Sequence, residues 1–225
     1  MTKFAIAIRQ IFEGQSQWSD ALPWYYTPKF IFMTVPLAVI AGALVGVVMM
    51  FKNKKDWFHY FILLFTFAFP IFWIVINKSN VYGGWRHAIF VYPSLAALAG
   101  LGIEALVQSV NKKYFKIAIL SAFGILTINP IAHSIRNHPY EYVYFNEFEG
   151  GIKNAYGKYE LDYYYHSLRE ASDWVIKNAK KDNLTIGDKI VVACWHTAPL
   201  NYYFRNDTNR FKVSFIRYYE RGEAD

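Results

Sequence analysis

Residues 30–51 read FIFMTVPLAVIAGALVGVVMMF, a run of 22 residues that carries no charge. An α-helix rises about 1.5 Å per residue, so a run of this length spans a hydrocarbon core about 30 Å thick. Pro36 lies near the start of the run, where a proline removes few backbone hydrogen bonds. We therefore predict one transmembrane helix over residues 30–51.

Three further apolar segments follow at spacings that suit a polytopic membrane protein. They cover residues 57–77, 88–110 and 114–132. The third span of the chain holds one carboxyl group, Glu104, towards its end, where a charge costs less than at the centre. The fourth span is the shortest, and Lys116 extends its long side chain to the interface. The predicted fold class is a polytopic α-helical membrane protein with about four transmembrane helices across residues 30–132.

The composition of the chain fits a membrane protein. Of 225 residues, 54% are hydrophobic and 18% are charged, against about 45–50% and 25% in a typical soluble domain. The clumped apolar runs argue against intrinsic disorder, a coiled coil and an ordinary soluble enzyme. The single cysteine, Cys194, excludes an internal disulfide and a cysteine-rich zinc site. The net charge is +7. Because basic residues flank the spans, we predict a lipid bilayer as a partner and no nucleic acid.

The basic residues next to the spans predict the orientation of the chain. Six lysines follow the first and third spans: Lys52, Lys54, Lys55, Lys112, Lys113 and Lys116. The opposite side carries four basic residues: Lys29, Lys78, Arg86 and Arg136. By the positive-inside rule the lysine clusters face the cytoplasm. Residues 1–29 are then an extracytoplasmic loop segment, and residues 133–225 lie on the same side.

Residues 133–225 are polar and rich in tyrosine, and we predict a small extracytoplasmic α/β domain there. Ser167 and Glu170 have the spacing of a capping box at the start of a helix. Residues 189–195 have the composition of a buried strand, and residues 211–216 that of a second strand. Residues 183–188 supply a turn between the helix and the first of these strands.

The loop of residues 80–87, NVYGGWRH, is the first candidate functional segment. Its two glycines permit a tight turn, and Arg86 and His87 follow at the mouth of a span. A guanidinium at this depth can bind a lipid phosphate through two parallel hydrogen bonds. A snorkelling arginine beside the interfacial Trp85 explains the same residues.

Two more segments combine aromatic residues with charges. Residues 23–29, PWYYTPK, place Tyr25, Tyr26 and Lys29 ahead of the first span, where they can stack on a sugar and pair with a phosphate. An interfacial aromatic belt explains them as well. Residues 138–147, HPYEYVYFNE, interleave aromatic residues with carboxylates, which suits carbohydrate binding and equally a loop on the bilayer surface.

The histidines form no ligand pattern for a metal ion. There are six of them, scattered along the chain, and His133 and His138 are five residues apart. We therefore predict no cofactor and no metal site built from protein ligands. A divalent metal ion stays an open alternative.

Taken in order, the three aromatic and basic segments resemble the C-terminal portion of a bacterial polytopic glycosyltransferase of the GT-C superfamily. The similar enzymes are protein O-mannosyltransferases and lipid A aminoarabinose transferases, a group often called family 39-like. Residues 155–157, AYG, and residues 160–163, ELDY, continue the resemblance. It covers nearly the whole chain to about residue 180.

The resemblance implies a multi-pass protein of the inner membrane with a periplasmic C-terminal domain. Such enzymes transfer a sugar from a polyprenyl-phosphate donor to an acceptor outside the cytoplasm. By the resemblance, Arg86 and His87 are the candidates for the donor phosphate. The expected substrate-binding residues are Trp85, Tyr25, Tyr26 and Lys29.

This chain has fewer predicted spans than these enzymes. They have many more spans, and their acidic catalytic residue lies in the first outer loop, for which no counterpart is found here. We therefore expect residues 1–225 to have no transferase activity alone and to need the missing N-terminal half as a partner. The alternative hypothesis is a non-enzymatic membrane anchor or assembly protein that presents a small periplasmic domain.

Overall fold

The computed structural model describes residues 7–52, 54–162, 165–179, 189–194 and 197–216. The chain forms two compact units, Met1–Tyr163 and Tyr164–Asp225. This division falls later than the predicted boundary at residue 133. The reason is that the segment after the last apolar helix packs into the first unit, where Phe145, Ala155 and Tyr159 share a core with Phe12.

Long apolar helices dominate the first unit. Their bounds are α1 (Tyr26–Thr34), α2 (Leu37–Lys52), α3 (Trp57–Ile76), α4 (Tyr92–Gln108), which continues a 3₁₀ helix (Arg86–Val91), and α5 (Lys113–Arg136). Among the described residues, three helical segments are long and apolar enough to cross a bilayer, or four if α1 and α2 form one bent span. The helices expected at 57–77, 88–110 and 114–132 are confirmed at this level of length and composition.

The prediction of one continuous helix over residues 30–51 is wrong. Helix α1 ends at Thr34, α2 begins at Leu37, and the two are bent by 112°. Pro36 lies at the break, where it has no backbone N–H and its ring clashes with the preceding turn. Val35 is extended, with φ −82° and ψ 136°, as expected for a residue before proline.

Asn146 binds the backbone carbonyls that this break exposes. Its fully buried side chain donates from Nδ2 to Phe32 O at 2.6 Å and to Val35 O at 2.8 Å, and its backbone N–H donates to Met33 O at 2.8 Å. In a continuous helix, Phe32 O would accept the N–H of residue 36. Because residue 36 is a proline, the amide of Asn146 takes the place of the missing donor.

Helices α2 and α4 pack closely because glycines face each other. A Cβ atom on Gly102 would lie 2.4 Å from Gly42 O and 2.4 Å from Gly46 N. Gly42 and Gly46 have the GxxxG spacing that permits backbone contact between membrane helices. The sequence contained this signal, and the prediction of the first span did not use it.

Helices α3 and α5 expose apolar side chains. In α5, which the structure describes in full, no side chain is buried. On α3 the exposed rings of Phe61, Phe65, Phe69 and Trp73 form a ladder with neighbouring centroids 5.1 to 6.0 Å apart. Apolar surfaces of this extent are unfavourable in water and suit a hydrocarbon environment.

A hairpin precedes the helices, within the segment predicted only as a loop. Its strands are β1 (Arg9–Phe12) and β2 (Gln15–Trp18), which pair antiparallel. The turn residues Glu13 and Gly14 have φ values of 53° and 76°, the combination that a two-residue type I′ hairpin turn requires. The segment after α6 (Gly151–Ala155) covers the hairpin, since Gly14 N donates to Lys158 O at 3.0 Å.

The second unit contains two helices and a small parallel sheet. Its elements are α7 (Ser167–Asn178), β3 (Ile190–Cys194), α8 (Thr197–Tyr203) and β4 (Phe211–Phe215). Strands β3 and β4 are parallel, and the side chains of Leu200, Phe204 and Phe211 form the buried core. Both predicted strands are present, and the predicted turn at 183–188 lies outside the described residues.

Two details predicted for the second unit are wrong. Ser167 is the first residue of α7 and not its N-cap, which is His166, and no side-chain cap hydrogen bond forms. The strand β3 is not fully buried, because burial alternates along it and Val191 is exposed. With only one neighbouring strand and one packed face, alternation is the expected pattern.

Candidate functional site

The loop of residues 80–87 forms a tight turn ahead of the helix that carries Arg86. Gly83 and Gly84 have φ values of 62° and 69°, in a region that residues with a side chain seldom adopt. The turn predicted from the glycine pair is therefore present. It connects the end of α3 to the 3₁₀ helix that begins at Arg86.

Buried hydrogen bonds fix this turn on α1 and on the hairpin. Gly84 N donates to Tyr26 OH at 3.0 Å, and Gly83 N donates to Gln10 Oε1 at 3.1 Å. Tyr26 OH also donates to Gln10 Oε1 at 3.0 Å. Tyr26 is only 2% exposed, so the structure places most of its side chain beneath the turn, where its hydroxyl holds Gly84. The sequence did not predict a role for Gln10, because no local pattern distinguishes this residue.

Trp85 is attached to the end of α1. Its Nε1–H donates to Thr34 Oγ1 at 2.8 Å, and the Thr34 hydroxyl donates to Phe30 O at 2.6 Å. The half-buried indole also packs edge-on against Tyr92, with ring centroids 6.0 Å apart. Trp85 therefore lies beside the break between α1 and α2.

Arg86 and His87 both pack on the ring of Tyr82. The guanidinium carbon of Arg86 lies 4.5 Å from the ring centroid, a cation–π arrangement. The imidazole of His87 meets the same ring edge-on, with centroids 4.7 Å apart. All three side chains are half-buried. The two residues predicted to bind a phosphate are thus held together at the start of an apolar helical segment.

Two grooves lie in the first unit, and one of them borders this turn. One has a volume of about 550 Å³ and is bordered by His87, Asn80 and the α3 residues Phe69 and Trp73. The other has a volume of about 330 Å³ and lies where the bent pair α1 and α2 meets α3 and α4. Its lining is entirely apolar: Pro28, Ile31, Phe32, Leu44, Leu64 and Leu95 are among the residues. The second groove can accept a hydrocarbon chain but offers no group that would bind a charge.

Lys29 and Tyr25 meet around Glu13, a carboxylate that lies outside the motifs found in the sequence. The Lys29 ammonium forms an ion pair with Glu13 Oε1, and Tyr25 OH donates to Glu13 Oε2 at 3.2 Å. The Lys29 Nζ also lies 5.6 Å from the ring centroid of Phe12 and 5.5 Å from that of Tyr159. The hydrogen bond from Lys29 lowers the pKa of Glu13, against the opposing effect of partial burial. The local sequence signal that could have indicated Glu13 is the Glu13-Gly14 pair, which forms the hairpin turn.

Replacing Glu13 with glutamine is expected to lower the free energy of unfolding by about 0.5 kcal/mol at pH 7, the usual size for a partly exposed ion pair. The folded-state pKa of Glu13 is lowered from 4.5, so the ionised carboxylate stabilises the fold above that value. The stabilisation is lost as the pH falls through the folded-state pKa. Thermal unfolding of both proteins at a series of pH values from 7 to 2 checks this, and a difference that does not shrink as the pH falls would contradict it.

The predicted site residues form two neighbouring groups. One is the turn with Trp85, Arg86 and His87, and the other is the cluster around Lys29. The groups are linked through the core, because Phe12 packs under Lys29 and its ring centroid lies 4.9 Å from that of Tyr26. A ligand at the first group would therefore be sensitive to the packing of the second.

The segment of residues 138–147 has more contacts within the protein than its composition suggested. His138 Nδ1 lies 2.5 Å from Glu141 Oε1, and Tyr142 OH donates to Asp162 Oδ1 at 2.9 Å. Burial, with a contribution from Glu147, raises the pKa of Tyr144 to about 12. Together with the buried Asn146, these contacts give the segment a structural role next to the break between α1 and α2.

In the part of the chain that the structure describes, no three His, Cys, Asp or Glu side chains come together in a way that would hold a metal ion. No family model matches the chain, and no curated protein or solved structure matches it. The resemblance to GT-C glycosyltransferases thus stays a prediction from the sequence motifs.

Proposed function

We propose that this chain is the C-terminal membrane part of a glycosyltransferase that uses a polyprenyl-phosphate-linked sugar as its donor. The apolar helices would lie in the inner membrane, with residues 1–29, the 80–87 turn and residues 133–225 on the periplasmic side. The observation that carries the proposal is the presentation of Arg86 and His87. A turn anchored by buried hydrogen bonds holds them at the start of the apolar segment Arg86–Gln108.

The chemistry of this arrangement suits a lipid phosphate. A helix that begins at the membrane boundary places its first residues at the depth of lipid headgroups. Arg86 would bind two phosphate oxygens, and stacking on Tyr82 limits the rotamers that it must give up on binding. As the sugar departs, a fixed cation would stabilise the negative charge that develops on the phosphate.

The apolar groove supports the same assignment. Its lining includes Pro28 and Phe32 on one side of the break between α1 and α2, and Ile40 and Ala43 on the other side. An isoprenoid chain attached to a phosphate at the turn would bury its first units there, at a gain of about 25 cal/mol per Å² of apolar surface. The polar residues that act on the acceptor would come from the N-terminal half that the resemblance implies.

Replacing Arg86 with alanine in the full chain is expected to weaken the binding of a polyprenyl phosphate by about 10- to 100-fold. Hydrogen bonds to a charged group contribute about 1.5–3 kcal/mol, and each 1.4 kcal/mol is a factor of ten. The measurement is a titration of the chain in nanodiscs with a short-chain polyprenyl phosphate, followed by native mass spectrometry. A lysine at position 86 should recover part of the loss, because it restores the charge without the bidentate geometry.

Arg136→Ala is the matched control, since Arg136 is an exposed cation in the last turn of α5. Its removal should leave the affinity within about twofold, as expected for an exposed surface charge. Equal affinities for the wild type and Arg86→Ala would remove Arg86 from the site. The anchor hypothesis would then be the better account of the chain.

A further inference from the structure

A third cavity lies between the entry to α1 and the exit from α3. It has a volume of about 380 Å³. One wall is formed by residues 19–24 with Tyr26 and Thr27, and the other by residues of the segment 74–81. Neither Arg86 nor His87 is among the described residues that line it. The cavity is therefore separate from the proposed phosphate site.

Each wall of this cavity carries one charge. Asp20 lies on the wall that precedes α1, and Lys78 lies on the wall that follows α3. Both side chains are exposed, and within the described ranges neither forms an ion pair with the other. A cation and an anion thus border the same space while staying more than a salt-bridge distance apart.

The backbone holds Lys78 in an unusual conformation. Ser79 N donates to Ile74 O at 3.0 Å, and Lys78 N donates to Val75 O at 3.2 Å, which together form a Schellman motif at the end of α3. The residue with positive φ in this motif is usually glycine, but here it is Lys78, with φ 44°. Strained backbone positions cluster at ligand-binding sites, so this conformation makes Lys78 a candidate for binding a ligand in the cavity.

A threonine also lines the cavity. Thr27 is 2% exposed as a residue and is among the residues that form the cavity wall. A hydroxyl can both donate and accept a hydrogen bond. Trp24, which is 71% exposed, borders the same space, as is common for tryptophan at a membrane interface.

We propose that this cavity binds the phosphoethanolamine headgroup of a phospholipid. The phosphate would pair with Lys78, and the primary ammonium would donate to Asp20 and to the Thr27 hydroxyl. A purely anionic headgroup would use Lys78 but be repelled by Asp20. A choline headgroup has no N–H to donate, so it would donate no hydrogen bond to Asp20 or Thr27.

The position of the cavity favours a lipid over a soluble compound. It lies at the end of α3, a helix of 20 residues that is long and apolar enough to cross a bilayer. The side chains of Leu22, Ile74 and Val75 are part of its lining and would contact the glycerol and the first methylene groups. The proposal rests on the membrane placement given under the proposed function, but not on glycosyl transfer.

The test uses the full chain in nanodiscs of phosphatidylethanolamine, phosphatidylcholine and phosphatidylglycerol in equal parts. Native mass spectrometry after release counts the lipids that stay bound. We expect phosphatidylethanolamine to be retained about tenfold over the other two, in line with charge-assisted pairing at both ends. Equal retention of phosphatidylcholine would overturn the proposal, as would displacement of the lipid by an equal concentration of soluble glycerophosphoethanolamine.

Two variants separate the ends of the headgroup. Asp20→Asn should remove the preference for phosphatidylethanolamine over phosphatidylglycerol. Lys78→Gly should reduce the retention of phosphatidylethanolamine and of phosphatidylglycerol. Glycine also relieves the backbone strain at position 78, so that this variant is expected to fold at least as well as the wild type. Unchanged retention in either variant would refute the assignment.

Lys54→Ala is the matched control, because Lys54 is an exposed lysine in the short segment between α2 and α3, at the other end of α3. Its retention pattern should equal that of the wild type. Arg86→Ala should also keep the preference for phosphatidylethanolamine. If polyprenyl phosphate does not bind in its own test while this preference is retained, the headgroup-binding proposal is supported and the transferase proposal is refuted.

Discussion

Replacing Asn146 with aspartate is expected to lower the free energy of unfolding of the first unit by at least about 3 kcal/mol. The two side chains have nearly the same shape, so the change leaves no cavity. What it removes is the N–H donor that Asn146 gives to Phe32 O and Val35 O. A buried polar group that loses its partner costs about 1–3 kcal/mol, and two carbonyls are affected. A carboxylate against two carbonyl oxygens adds repulsion.

The size of this effect follows from the proline at the break. Pro36 cannot donate to Phe32 O, and Val39 N binds Pro36 O in place of Val35 O. Both carbonyls therefore depend on a donor from elsewhere in the chain, and Asn146 is more than a hundred residues away in sequence. Since the break also positions Thr34 for its bond with Trp85, loss of Asn146 should loosen the turn that carries Arg86.

Thermal unfolding of the full chain in detergent, followed by tryptophan fluorescence, measures the change. Asn146→Ala should be destabilised to a similar extent, because it leaves the same carbonyls without a donor. Asn129→Ala is the control, since the Asn129 side chain makes an exposed hydrogen bond to Glu147 and its loss should cost within about 0.5 kcal/mol. A stable Asn146→Asp protein would mean that water satisfies the carbonyls at the break.

The helices themselves were predictable because their signal is local. An uncharged run such as residues 57–77 excludes most alternatives by length alone, and α3 occupies Trp57–Ile76. The break between α1 and α2 was not predictable in the same way. Pro36 was visible, but a proline near a helix start is harmless unless other residues stabilise the bend. Asn146 stabilises the bend, and no sequence periodicity connects position 146 to position 36.

The candidate site shows the same division between local and long-range information. The turn at Gly83 and Gly84 and its Arg86 were found, because positive φ and a cation before an apolar run are local features. The roles of Tyr26 and Gln10 were not, since both depend on hydrogen bonds between the hairpin, α1 and the turn. Aromatic residues ahead of a span predict an interface, but they do not say which of them faces inward.

Helix α4 offers a second large effect, through two glycines that are only two residues apart. Replacing Gly102 with alanine is expected to lower the free energy of unfolding by about 3 kcal/mol, the upper part of the usual range for overpacking. The new Cβ would lie 2.4 Å from Gly42 O and from Gly46 N, which are backbone atoms and cannot rotate away. Helices α2 and α4 would have to separate along their whole contact.

Gly100→Ala is the matched control on the same helix, because a Cβ at Gly100 would meet no atom within 4 Å. Alanine is favoured over glycine in a helix interior by about 1 kcal/mol in water, so Gly100→Ala should be neutral or slightly stabilised. Both variants add one methyl group to α4 and gain the same helix propensity, so the difference between them measures the contact with α2 alone. Unfolding of both proteins in a dodecyl sulfate titration supplies this difference.

A Gly102→Ala protein as stable as Gly100→Ala would show that α2 and α4 do not meet backbone to backbone. The helix that begins at Arg86 would then lack the support that holds the end with Arg86 in place.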